Sequence, residues 1–346
     1  MNVLFLNHSE SDYGGAFLYN GLCNVFGARK VYDYPLKKSY HGETHHYSLP
    51  NITNGCTAPL PWMPAHPVAW GSDCSLDTAC IRTQISKHFF SLVVLESCRY
   101  TVKQTYAQFA DAIRESGTPV VLHDGEDYRE VDEAFIADVK PTLFLKREVL
   151  AAAPLLDMRG EHRRLAYPFS CPKVAPLVSK EEFQQRTYKA AMLFGNTAQI
   201  RKDLVNAFRS CDYADDVYCA MNSDGEAKQT LLGWDAYNQM LTDSMIGVSA
   251  RGFGWDTCRY WEIPTAAVLL TQPLNLRIPD PYVHEKTCFE FVSPQHAVQI
   301  VQSLTRYTPE HLYEVYCAGH AHTVAHHTNT ARVGYMLSLL QQVAHA

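Results

Sequence analysis

The sequence contains no apolar stretch near the roughly 18 to 20 residues needed to cross a bilayer. The apolar run at its start, residues 3–6 of MNVLFLNHSES, is short and has no basic segment before it. Neither a leader nor a transmembrane segment is therefore expected, and the cytoplasm is the expected compartment. Basic charge is also missing: the formal net charge is -6. That counts against a broad electrostatic footprint for nucleic acid or anionic lipid. The eleven cysteines form no CxxC pair and their number is odd, which argues for reduced thiols instead of a disulfide framework. The Gly14-Gly15 turn lacks full GxGxxG spacing and so is no dinucleotide fingerprint. No Ser/His/Asp or Cys/His triad can be assembled from residue order.

What is present is an ordinary soluble composition: 346 residues, 47% hydrophobic and 19% charged. That length suits two domains. Residues 3–6 read as a buried strand, followed by a polar turn and an amphipathic segment over 17–26. Residues 35–80 are rich in Pro, Gly, Asn and His and read as long loops, in which Trp62 and Trp70 either stack on a ligand or cover their own domain. Next, 89–95, 102–115 and 119–122 give strand, helix and strand, and 142–145 a further strand. Prolines 168, 172 and 176 stiffen a linker over 166–178. Beyond it the alternation resumes with strands at 190–194, 217–220, 245–248 and 268–270 and helices at 200–208 and 236–241. Helices at 294–305 and 309–320 follow. The expected class is α/β, with two Rossmann-like doubly wound domains facing each other across a cleft. The boundaries are 1–170, 171–330, and a C-terminal helix at 331–346 that packs back on the first domain.

The densest chemistry lies in 249–271, SARGFGWDTCRYWEIPTAAVLLT. Gly252 and Gly254 let the backbone approach a ligand closely. Asp256 is placed to cap a helix over 257–263, which Pro264 is expected to end. Arg251, Arg259 and Glu262 then gather near a helix start beyond a strand's carboxyl end, where open parallel sheets bind ligands and free N–H groups attract phosphate. Arg259 and Glu262 also have the spacing of a structural ion pair.

This run resembles the C-terminal nucleotide-sugar domain of GT-B glycosyltransferases, especially the CgeB-like, family 1-like group. His123-Asp124-Gly125-Glu126-Asp127-Tyr128, followed by Phe144-Leu145-Lys146-Arg147-Glu148, resembles that group's DGED and FKRE segments. Leu193-Phe194-Gly195-Asn196 with Arg201 resembles the opening of its second half. The chain departs from the pattern at Ala266-Ala267, where many members carry glycine.

The resemblance implies a GT-B fold and a glycosyltransferase that moves a sugar from a nucleotide-sugar such as a UDP-sugar to a hydroxyl acceptor. The acceptor would be a glycan, a protein, a small molecule or a modified nucleobase. It further implies no metal and no cofactor, the nucleotide-sugar being a co-substrate. Donor-binding residues would be Gly195, Asn196, Arg201, Arg251, Gly252, Phe253, Gly254, Asp256, Thr257, Arg259 and Glu262. Catalysis would fall to Arg251 at the departing diphosphate and to Asp124 or Glu126 as the group that deprotonates the acceptor. The acceptor side would include His8, Gly14, Gly15, Asp127, Lys146 and Arg147, although His8 reads better as a surface histidine. A non-catalytic nucleotide-sugar or glycan-binding protein on a degenerate transferase fold is the alternative. The histidines at 320, 322, 326 and 327 lack a clear third zinc ligand and read as an exposed polar face, and those at 41, 45 and 46 fall in a loop.

Overall fold

The computed structural model describes residues 1–8, 12–43, 45–49, 52–57, 60–70, 77–127, 130–152, 164–221 and 232–344. The chain divides into two compact units, one of Met1–Pro168 with Asn329–Ala346, the other of Phe169–Thr328. No helix among the described residues is long and apolar enough to cross a membrane.

The first unit begins with β1 (Val3–Leu6), α1 (Tyr13–Phe26) and β2 (Val31–Tyr34). A hairpin of β3 (His45–Leu49) and β4 (Ile52–Thr57) is a short piece of structure within the loop-rich stretch 35–80, and a helix, α2 (Thr78–Ser86), begins at its end. Then come β5 (Leu92–Leu95), α3 (Tyr100–Ala107), α4 (Ala110–Ser116), β6 (Val120–Asp124), α5 (Glu133–Val139), β7 (Leu143–Lys146) and β8 (Arg164–Ala166). The helix expected over 102–115 is thus two helices. The six strands stand in the order β2-β1-β5-β6-β7-β8, each pair parallel. Their sequences are near-continuous apolar runs because helices cover both faces of such a sheet. Leu4, Leu6, Val93, Leu95 and Leu122 form the heart of one core.

The second unit comprises α6 (Lys180–Gln184), β9 (Tyr188–Phe194), α7 (Gln199–Arg209), β10 (Val217–Met221), α8 (Trp234–Thr242), β11 (Ser244–Ser249), α9 (Cys258–Ala266), β12 (Val268–Thr271) and β13 (Phe289–Glu290). It continues with α10 (Pro294–Tyr307) and α11 (Pro309–His326). Its sheet is again parallel, in the order β10-β9-β11-β12-β13. The last helix, α12 (Asn329–Ala344), belongs to the first unit, where Gly21 of α1 lets the backbone of Asn329 come close.

Two local expectations about α9 are corrected. Its N-cap is Thr257, with no side-chain cap bond, because Asp256 is turned inward: Oδ1 accepts from Trp261 Nε1 (2.6 Å) and Oδ2 from the Phe169 N–H (2.7 Å). The helix also runs through Pro264 to Ala266. Proline removes one backbone bond, but every residue from Tyr260 to Ala266 is buried, and Ala267 N–H still closes onto Ile263 O at 2.8 Å. Packing outweighs the local penalty of about 3 kcal/mol. The close helix-to-strand approach is supplied from the strand side. A Cβ on Gly247 of β11 would lie 2.6 Å from Ile263 Cγ2.

Trp62 and Trp70 cover their own unit: Trp62 packs on Phe17 with centroids 4.9 Å apart, and Trp70 Nε1 donates to Asp33 O at 2.8 Å.

Gly247→Ala should destabilise the protein by about 1 to 3 kcal/mol through overpacking. Denaturant midpoints should show this loss, with part of it recovered in Gly247→Ala/Ile263→Val, which removes a methyl group from the crowded side. Unchanged stability in the single variant would disprove the tight α9–β11 contact.

Candidate functional site

A doubly wound sheet binds ligands where the strand order reverses, in the crevice at the strands' carboxyl ends. In the second unit the reversal lies between β9 and β11, and the loops beyond these strands carry most of the expected donor residues. After β9 the chain turns through Gly195, Asn196 and Thr197 into α7, whose first turn holds Arg201. This arginine is buried, 3% exposed. Its Nε donates to Ala250 O (3.2 Å) and Arg251 O (3.0 Å), Nη2 to Ala250 O (2.9 Å), and Nη1 to Gly195 O (2.9 Å) and Thr197 Oγ1 (2.8 Å). Arg201 therefore fastens one loop to the other instead of pointing outward. A Cβ on Gly252 would lie 3.0 Å from Thr197 Oγ1 and 3.1 Å from Arg201 Nη2, so glycine is what lets the loop settle on the guanidinium.

No carboxylate among the described residues forms a salt bridge with Arg201. Burial, followed by the like charge of Arg259, pushes its pKa down to about 10. Arg259 likewise has no salt bridge there, and its Nε lacks a hydrogen-bond partner among the described residues. Two cations thus repel each other beneath a glycine loop.

Glu262, on the same helix as Arg259, makes no close ion pair with it. Its Oε2 accepts from the Tyr237 hydroxyl at 2.7 Å, and Tyr237 stacks on Trp234. Burial raises the Glu262 pKa, while Tyr237 and the charge of Arg259 act in the opposite direction. Arg251 is exposed, with its guanidinium 5.2 Å from the centre of the Trp255 ring. The Gly252 N–H bonds Gly254 O at 3.0 Å in a tight turn, leaving Phe253 84% exposed at the tip. Thr257 Oγ1 lies 3.2 Å from Ser249 Oγ.

In the first unit the order reverses between β1 and β5. His8, just beyond β1, is not a surface residue: it is buried, with Nε2 3.7 Å from Asp12 Oδ2 and 3.6 Å from Glu96 Oε2. Glu96 is fully buried. It accepts from the His8 N–H (3.0 Å), Lys37 Nζ (3.3 Å) and the Tyr40 hydroxyl (3.0 Å). Gly14 and Gly15 are not a loose turn but the opening of α1, capped by Asp12, whose Oδ1 accepts from Gly14 N–H at 2.9 Å. Gly15 is required for contact, since a Cβ there would lie 1.7 Å from Glu96 Oε1. Burial works to raise the Asp12 pKa, yet the His8 hydrogen bond and the charges of Arg99, His8 and Lys37 hold it below the ordinary carboxylate range.

His8, Asp12 and Glu96 are the one group of ligand-type side chains that converges among the described residues. A cation there would compete with Lys37 and with the positive end of α1. The C-terminal histidines do not converge in that way. His320 and His322 bond the carbonyls of Ala175 and Asp280, and His326 lies 3.5 Å from Asp280 Oδ2. His41 bonds His66 O and Asp33, whereas the side chains of His45 and His46 lie outside the described residues.

The two first-half motifs form one knot. Lys146 Nζ reaches Asp124 Oδ2 (3.0 Å) and Glu126 O (3.2 Å), and Arg147 Nε donates to Gly125 O (2.7 Å) while its Nη2 pairs with Asp127. Glu126 itself pairs with Arg99. Asp12, Lys37, Glu96, Thr197 and Tyr237 were not singled out from sequence. Asp12 had a readable signal, as a capping residue two places before Gly14. Lys37 and Glu96 lie 59 residues apart and have none.

Neither a family model nor a curated protein matches the chain in sequence. Solved structures do match it in shape. The chain superposes on Anabaena HepE in complex with UDP-glucose with a TM-score of 0.53 at 10% identity, covering 100% of this chain and 98% of that one. A glycosyltransferase from Rickettsia africae gives 0.56 at 8% identity, covering 99% and 98%. The UDP-forming α,α-trehalose-phosphate synthase of Burkholderia xenovorans gives 0.52 at 10%, covering 100% of both. The fold is GT-B. Similarity at this identity establishes GT-B architecture over the whole chain, and the chemistry has to come from the site.

The raised Glu262 pKa gives a stability prediction. Below the unfolded carboxylate range the group is protonated in both states. As pH rises through the unfolded and then the folded pKa, ionisation is more costly in the folded state and stability is lost. Glu262→Gln should therefore stabilise the ligand-free protein at neutral pH and do so less at acidic pH. Thermal unfolding across that range would reveal the opposite trend if Glu262 were held ionised.

Proposed function

We propose that the protein is a glycosyltransferase of the CgeB-like kind that transfers a sugar from a nucleotide-sugar to a hydroxyl acceptor. The single observation carrying this reading is the pair of uncompensated cations, Arg201 and Arg259, under the Gly252–Gly254 turn at the switch point of the second sheet. A buried guanidinium with no salt-bridging carboxylate among the described residues, repelled by a half-buried second one, is costly to keep unless an anion occupies the site. A nucleoside diphosphate supplies one, and the structures of similar fold include Anabaena HepE both with UDP-glucose and with UDP.

The donor's diphosphate sits over the turn, facing Arg251 and the 195–197 loop. Arg251 neutralises the charge that grows on the departing phosphate as the glycosidic bond breaks. Arg201 contributes through its field and by fixing the loop, since most of its N–H groups already donate to carbonyls and to Thr197 Oγ1. Glu262, aligned by Tyr237, accepts from the ribose hydroxyls. The acceptor is handled by the first unit, where Asp124, Glu126 and Asp127 are each matched by a cation. With protein cations serving the diphosphate, transfer needs no divalent metal. A cytoplasmic location suits a nucleotide-sugar donor.

A thermal-stabilisation screen of nucleotide-sugars tests the reading, because a ligand that binds the folded state raises apparent stability. Glu262→Ala and Arg251→Ala should each weaken donor binding roughly ten-fold or more, the scale of a lost charge-assisted bond of about 1.5 to 3 kcal/mol. Arg251→Ala should also lose at least about a hundred-fold in turnover, while excess chelator leaves the wild type active. Undiminished binding in both variants, or abolition by chelator with rescue by magnesium or manganese, would refute this placement of the donor.

A further inference from the structure

His123 is the last residue but one of β6, beside Asp124, and its environment differs from that of the carboxylates of the acidic turn. The carboxylates are paired with cations. The imidazole is 1% exposed, and its Nδ1 lies 3.0 Å from the main-chain oxygen of Glu96. A carbonyl can only accept, so Nδ1 carries the proton and Nε2 carries a lone pair. Nε2 has no hydrogen-bond partner among the described residues. The lone pair on Nε2 is therefore open to a donor from outside the protein.

The surroundings leave room for that use. A Cβ on Gly125 would stand 3.0 Å from His123 Cε1 and 3.7 Å from both ring nitrogens, so the glycine of the DGED turn keeps a side chain off the Cε1–Nε2 edge. Tyr167 braces the ring edge-on from the other side, with centroids 5.5 Å apart. The charged groups facing it are Glu96 beyond β5, Asp12 at the start of α1 and Asp124 on its own strand, the last tied to Lys146 of β7. Burial lowers the His123 pKa, which keeps the ring neutral at rest, whereas those three carboxylates favour the cation once a proton arrives. A neutral ring with a fixed tautomer and carboxylates ready to stabilise its charged form has the properties of a general base.

We propose that His123 takes the proton from the acceptor hydroxyl through Nε2, and that Gly125 keeps this nitrogen accessible to the acceptor. The inference rests on the transferase reading above. In the step, the acceptor O–H proton passes to Nε2, the acceptor oxygen bonds the anomeric carbon, and the bond from that carbon to the diphosphate oxygen breaks. Its electron pair leaves with the nucleoside diphosphate. The proton is returned to water after product departs. Asp124 and Glu96 are then positioning residues for this ring, and Glu96 acts through its main-chain oxygen.

The test compares wild type, His123→Ala and Gly125→Ala, using the nucleotide-sugar that stabilises the wild type in the screen and the acceptor it glycosylates. His123→Ala should lose about 10²- to 10⁴-fold in kcat. Its kcat/KM should lose the fall at low pH seen in the wild type, and added imidazole should restore part of the rate. Donor-induced thermal stabilisation, which reports on the second unit, should stay at the wild-type value. Gly125→Ala should remain folded yet lose about ten-fold or more in kcat, because small misplacements at a reacting group are expensive. A His123→Ala variant within about two-fold of the wild-type rate, with an unchanged pH profile, would overturn the proposal. So would a loss of rate accompanied by an equal loss of donor stabilisation and no imidazole rescue, which marks a structural histidine. A wild type that neither binds nor turns over any nucleotide-sugar would overturn the transferase reading itself, and the base role with it.

Discussion

One buried guanidinium organises the second unit's site. Arg201 reaches from the first turn of α7 to carbonyls on the loops after both β9 and β11, the two strands that flank the switch point. Backbone carbonyls at the carboxyl edge of a parallel sheet need donors, and here a single side chain supplies several at once. That arrangement fixes the height of the 250–254 turn and crowds any side chain at position 252. It also places positive charge under the turn without neutralising it, which makes the site receptive to an anion.

The first unit uses the opposite charge for the same purpose. Glu96 sits at its switch point and accepts from the His8 main chain, Lys37 and Tyr40, drawing together β5, the loop after β1, and the segment after β2. Removing one partner of such a buried charge costs about 3 to 5 kcal/mol, so these networks tolerate little change. A Cβ at Gly15 would overlap Glu96, and one at Gly252 would crowd Thr197 and Arg201, so in both places a buried ion and the backbone meet closely. Each unit therefore couples one central charge to one closely packed glycine.

The functional residues differ in how far local signals revealed them. Arg251, Gly252, Gly254 and Glu262 sit in one short stretch, where strand, glycine turn and helix follow one another, and the stretch could be read as a binding edge. Asp256 could not be read correctly, because its capping role was displaced by Trp261 Nε1 and the Phe169 N–H, the latter 87 residues away in sequence. The helix through Pro264 escaped for a related reason: burial of a whole helix outweighs one lost backbone bond, and burial is not a local property. His8 read better as a surface group, which its burial contradicts, since nothing near it in sequence announces Glu96.

By itself the sequence determined the two α/β halves, the parallel sheets and the strands' carboxyl-end loops as the place for chemistry. These follow from apolar runs of strand length alternating with amphipathic segments, a pattern carried by neighbouring residues. Only the tertiary structure decided which charges are matched and which are left over. Asp124, Glu126 and Asp127 find cations, whereas among the described residues Arg201 and Arg259 find no salt-bridge partner and His123 keeps one nitrogen unengaged. Charge compensation depends on distances of a few ångströms between residues tens of positions apart, and only the folded backbone sets those distances.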